Sequence, residues 1–141
     1  MKNRKTILLW ILKLIAAVIM LQTLYFKFSA HPEAVYIFSK LGMEPYGRIA
    51  IGIMELIASV LVLIPRTSWF GALMAIGLMG GAIFFHLTKL KIIVYNDGGK
   101  LFAMALAVFI CSSIILWMNR NKIPFLPGLL KYRFCLSPGN K

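Results

Sequence analysis

The sequence predicts an all-α membrane protein. Its expected form is a four-transmembrane-helix antiparallel bundle, N-in/C-in, with a short amphipathic helix on the outer surface. Three observations lead there. Of 141 residues, 60% are hydrophobic and 14% charged, where a soluble domain carries nearer a quarter charged. Four apolar runs have about the 18 or more residues that cross a bilayer. The Lys and Arg residues, 16 against 4 acids, flank those runs.

The first span is expected at 6–28, "TILLWILKLIAAVIMLQTLYFKF". The basic "MKNRK" before it resembles the start of a signal peptide, but the apolar run is too long and no small-x-small site ends it. It reads as a retained span. The second span is expected at 46–64, stopped by Pro65, the third at 68–88 and the fourth at 99–118. At 1.5 Å per residue each gives about 28 to 35 Å of helix, enough for the hydrocarbon core. Together they form one transmembrane domain, 6–118, followed by a basic cytoplasmic tail, 119–141.

The links differ. "PRTS" is so short that spans two and three must be antiparallel neighbours. In 29–45, Ala34, Ile37, Phe38 and Leu41 recur at helical spacing, the mark of an amphipathic helix lying on the membrane. In 89–98, "KIIVY" is β-branched and "NDGG" is turn chemistry.

Orientation follows from the cations. With the N-terminus inside, nine lie on the inner face (Lys2, Arg4, Lys5, Arg66, Arg120, Lys122, Lys131, Arg133, Lys141) and six on the outer (Lys27, Lys40, Arg48, Lys89, Lys91, Lys100). Lys13, two turns into the first span, is expected to snorkel inward. A net charge of +12 suits anionic head groups here. Nucleic acid is not an expected partner, since no separate basic domain exists.

The polar residues inside the spans are the main functional signal. In "GIME", Glu55 sits in an oily run; Arg48 is seven residues before it on the same face, and about 10 Å separates them along the axis. Gly52 lies between them. Gln22, Tyr25 and Lys27 on the first span, His86 at the end of the third, and Asp97 and Lys100 before the fourth all belong to the same outer half. The inner half offers only Ser59, Cys111, Ser112 and Ser113. Ionisable groups inside a bilayer are costly and face a bundle interior or cavity, so an outward-opening ligand pocket is expected. Plainer roles remain open. Glu55 could pair with Arg48, Lys27 or Gln22 and fix register. His86 could be an interfacial histidine, and Asp97 a cap for the fourth helix.

Gly77 and Gly81 form a GxxxG on the third span, suited to close packing within the bundle or to a homodimer face. Two histidines, His31 and His86, do not supply a bundle-buried haem with paired ligands. No HExxH, CxxC or glycine-rich phosphate loop is present, and no metal site is expected. No internal repeat of the transporter kind is visible.

The run from "YFKF" through "KLGMEP", "GIMEL" and "IPRTSWFGAL" to "HLTKL" and "DGGKLF" resembles the DoxX family of small bacterial membrane proteins, over roughly 8–118. The resemblance implies a four-helix bundle in the bacterial inner (cytoplasmic) membrane, with its pocket facing the periplasm. Some members resemble subunits of thiosulfate:quinone oxidoreductase, others associate with redox or detoxification complexes, and distant eukaryotic relatives assist receptor assembly. The family pattern matches Lys27, Arg48, Glu55, His86 and Asp97. Four-helix enzymes of the vitamin K epoxide reductase type use paired cysteines; Cys111 and Cys135 form no such pair.

The expected function is a redox-associated module binding a quinone or another small lipophile in that pocket. The alternative is a non-catalytic partner that stabilises another membrane protein or an oxidoreductase subunit. A carrier is a third reading, weakened by the apolar inner half.

Overall fold

The computed structural model describes residues 2–124. Four long helices, α1 (Lys2–Phe28), α3 (Tyr46–Leu63), α4 (Ser68–Phe85) and α5 (Lys100–Met118), alternate in direction. A short helix, α2 (Pro32–Lys40), joins α1 to α3. All four long helices are long and apolar enough to cross a membrane. No strand occurs among the described residues. The tail expected beyond Arg120–Lys122, a single 3₁₀ turn, lies largely outside them.

Each helix boundary has a local cause. Proline disfavours helical geometry in the residue before it, and Ile64, ahead of Pro65, is extended at φ −75°, ψ 120°. The chain then turns at once, with the Thr67 N–H donating to Ile64 O and the Thr67 hydroxyl to Leu61 O at 3.1 Å. That hydroxyl satisfies one of the orphan carbonyls at the end of α3. α2 starts at Pro32, where a missing N–H costs nothing, and buries Ala34 and Phe38. α4 ends in a wider π-helical turn, His86–Leu90, stopped by Lys91 at φ 67°. "KIIVY" forms irregular loop, with Val94 buried and Ile92 and Ile93 exposed.

The helices pack in the ring order α1–α3–α4–α5, while α2 lies against α1, α3 and the π turn. The contact seam is small: Ala16, Ala58, Ala72 and Ala75 are fully buried, with Met20, Val62, Val108 and Ile115 among them. Large side chains such as Ile7, Leu8, Leu14 and Val18 point outward. This inside-out pattern suits lipid, where small residues let backbones approach and bulky apolar ones face the acyl chains. The protein is therefore a multi-pass membrane protein.

Gly71 marks the tightest place. A Cβ there would lie 2.4 Å from Val62 N, on the α3 backbone. At Gly77 and Gly81, about two and three turns further along, a Cβ would meet nothing within 4 Å. The GxxxG pair therefore does not bring two helices of this chain together.

Candidate functional site

Those open glycines border a cavity of about 600 Å³ in the half of the bundle that carries α2. α1, α4 and α5 supply its walls, α2 covers it, and Ile51 and Glu55 of α3 reach it. Ile19, Met20, Leu78, Met104 and Val108 make the deeper part apolar.

Glu55 is 3% exposed. Its carboxylate accepts from the Lys27 ammonium at 2.8 and 3.0 Å and lies 3.3 Å from the Thr23 hydroxyl, whose one proton it shares with Met20 O at 2.9 Å. Thr23 and Lys27 lie four residues apart on one face of α1, so a single turn of helix serves both oxygens. The side chain of Lys27 is 15% exposed and that of Glu55 4%. An ammonium has three protons; with one to each Glu55 oxygen, no described side chain takes the third. The pair is neutral overall, which lowers the cost of holding two charges in a low-dielectric interior.

Arg48 does not reach Glu55. Its Nε donates a bifurcated hydrogen bond to the two carboxylate oxygens of Glu44, one turn before it, at 2.8 and 3.0 Å, and its guanidinium also donates to the Lys27 carbonyl. That last bond ties the start of α3 to the end of α1. Phe28 and Leu24 fill the space beside Gly52.

His86 is 5% exposed, and its Nδ1 lies 2.8 Å from Ala82 O. Nε2 has no partner. The ring packs against Phe102, centroids 5.9 Å apart. Asp97 gathers the loop that follows, accepting from the N–H groups of Val94, Gly99 and Leu101 at 3.1, 2.8 and 3.1 Å. Burial would raise this carboxyl, but those three donors and nearby His86 outweigh it and hold it below the usual carboxylate range. Leu101 lies in the first turn of α5, so Asp97 satisfies one of that helix's free N–H groups, and it also lines the cavity.

Of the sequence-derived candidates, the structure brings Gln22, Lys27, Glu55, His86, Asp97 and Lys100 to the cavity. Gln22 and Lys100 are exposed, at its mouth. Arg48 stands behind Lys27. Tyr25, 71% exposed, points to the outer surface of α1. Thr23 and Glu44 were absent from the sequence reading, though both stand four residues from a candidate cation, at helical spacing. Among the described residues no group of three His, Cys, Asp or Glu is placed to share a metal ion. Cys111 is a free, half-buried thiol; Cys135 lies outside the described residues.

The DoxX-like family profile matches residues 11–115, which takes in α3 and α4, most of α1 and α5, and the whole cavity lining. The chain belongs to the DoxX-like family. No curated protein and no solved structure matches it. Within this DoxX-like bundle the matched segment ends before the 3₁₀ turn at Arg120–Lys122, so every polar group described above falls inside the family core.

Proposed function

We propose that this DoxX-like protein is a redox-associated module of the bacterial inner membrane that binds a quinone or another small lipophile in the cavity. The observation that carries the reading is the Lys27–Glu55 pair buried beside an apolar chamber of about 600 Å³. Pockets for small lipophiles are mostly apolar, with a few placed polar groups. A quinone carbonyl needs a donor, and the free proton on Lys27 is one. The apolar walls would take the ring and the first part of a tail. Glu55 could pass a proton to or from the bound head group. The distribution of Lys and Arg favours the α2 end outside, and with that orientation the cavity would face the periplasm.

The other reading is an assembly partner, or a homodimer, docking through Gly77 and Gly81. It has less support, because both glycines border the cavity. Native mass spectrometry with lipid extraction on wild type and Glu55→Gln tests the choice. A quinone-like molecule on the wild type, lost or reduced at least tenfold in Glu55→Gln, is the expected result. An empty wild type beside an equally stable variant would remove the lipophile reading and turn the search to protein partners.

A further inference from the structure

The cavity has two edges of opposite character. Gln22 and Lys100, exposed and polar, border it at one. Gly77 and Gly81 border it at the other. Gly77 is exposed and Gly81 half-buried, and a Cβ added to either meets no atom within 4 Å. A residue that lines a chamber and is also open to the outside marks a gap in the wall.

The gap lies at the depth of the hydrocarbon. The span that contains α4 runs Ser68–Leu90, with Met79 at its middle. The two glycines stand on either side of Met79, each about 3 Å from it by helix rise. Ala75 and Met79 are buried and mark the inner face of α4. A step of two residues turns about 200° round a helix, so the glycines belong to the side turned to lipid. A side chain there would fence the chamber, and neither glycine has one. Toward the inner end the wall is shut, where Gly71 meets the α3 backbone. Toward the outer end Phe84, 61% exposed, meets the edge of Phe85, which lines the cavity. Glu55 stands near the middle of α3, so the carboxylate and the gap share one depth.

We propose that this gap is a lateral portal, through which a ligand whose head group lies beside Lys27 and Glu55 passes its apolar chain over Gly77 and Gly81 into the bilayer. The proposal rests on the lipophile reading of the cavity and adds the chain and its route. The ligand class is then a ring carrying a long prenyl or phytyl chain, taken from the membrane and returned to it. A chain that leaves at this depth enters hydrocarbon directly and crosses no polar layer. The chamber needs to enclose only the head and the first part of the chain, as its volume of about 600 Å³ suits.

The experiment compares menadione, a bare naphthoquinone, with phylloquinone, the same head on a phytyl chain. Native mass spectrometry of the full chain released from nanodiscs, at a series of quinone-to-lipid ratios, gives the bound fraction of each. Wild type, Gly77→Leu and Gly81→Leu are measured side by side; either variant decides, since the added Cβ displaces no protein atom. Wild type should bind both quinones. The leucine variants should bind phylloquinone at least tenfold more weakly, the scale of a forced apolar clash, and menadione within about twofold of wild type. Phylloquinone binding unchanged in both variants, or menadione alone bound by wild type, would overturn the portal and leave the cavity reading standing. Equal loss of both quinones in the variants would also overturn it, because the glycines would then border the head group and not the chain. Neither quinone bound by wild type would overturn both readings.

Discussion

α1 carries two lysines in opposite surroundings, Lys13 buried and Lys27 half-buried. Lys27 has a carboxylate at 2.8 Å and a cavity beside it. Lys13 is 1% exposed, has no carboxylate partner among the described residues, and lies 5.1 Å from the centre of the Trp10 ring. The Lys122 ammonium, within electrostatic reach, repels it further. All four acids, Glu33, Glu44, Glu55 and Asp97, belong to the half that carries α2. The glycines of α4 divide the same way, Gly71 against backbone and Gly77 and Gly81 against open space. One half is paired and hollow; the other is close-packed and acid-free. Charge is kept where polar partners and space exist together.

Removing one partner of the hollow half's ion pair should have the largest effect. Glu55→Ala strands Lys27 and is expected to lower stability by about 3–5 kcal/mol, read as the unfolding midpoint in mixed micelles. The double change Lys27→Met with Glu55→Met should recover most of that loss. A wild-type midpoint for Glu55→Ala would mean that the pair is solvated and the comparison wrong.

The glycines give the next contrast. Gly71→Ala forces a methyl onto the α3 backbone and should cost about 1–3 kcal/mol. Gly77→Ala should stay within about 0.5 kcal/mol of wild type. Equal losses at both positions would erase the distinction between tight and open halves.

Lys13→Met sharpens the contrast between the lysines. Replacing an unpaired buried charge by an apolar side chain of similar length should leave stability unchanged or raise it by about 1 kcal/mol. Lys27→Met should instead lower it. A loss at Lys13 as large as at Glu55 would show that the close-packed half depends on its cation.

The smallest effect concerns Asp97. Its folded pKa lies below the ordinary 3.8, so its contribution is complete above that value and fades as pH falls through the depressed range. The Gly99 and Leu101 amide resonances should therefore shift below about pH 4. In Asp97→Asn that pH dependence should vanish.

Much of the architecture was legible from run lengths and from Pro65, because a span of given length must be helical and a proline must end it. The resemblance to the DoxX family held over the matched region. The pairing inside the site was not legible. The sequence offered Arg48, Lys27 and Gln22 to Glu55 and could not choose. The choice depends on the register of α1 against α3, fixed by Leu24 and Phe28 beside Gly52. Tyr25 shares a helix with Lys27 but, two residues away, it faces roughly the other side. The GxxxG spacing suggested contact, whereas its surface opens on a cavity. Spacing reports which residues share a face, not what occupies the space before that face. The burial of His86 depends on the π turn, which no local pattern announced.

The bond between Lys27 and Glu55 also bears on biosynthesis. The two residues are 28 positions apart, so α1 is made well before α3 emerges from the ribosome. A lone charge at the middle of a span costs about 2.5–3.5 kcal/mol on insertion scales. α3 brings Glu55 to that depth with its cation waiting on α1. Pairing with a cation already in place on α1 would lower the cost of carrying Glu55 into the bilayer, so the order of synthesis suits the order in which the two charges are needed.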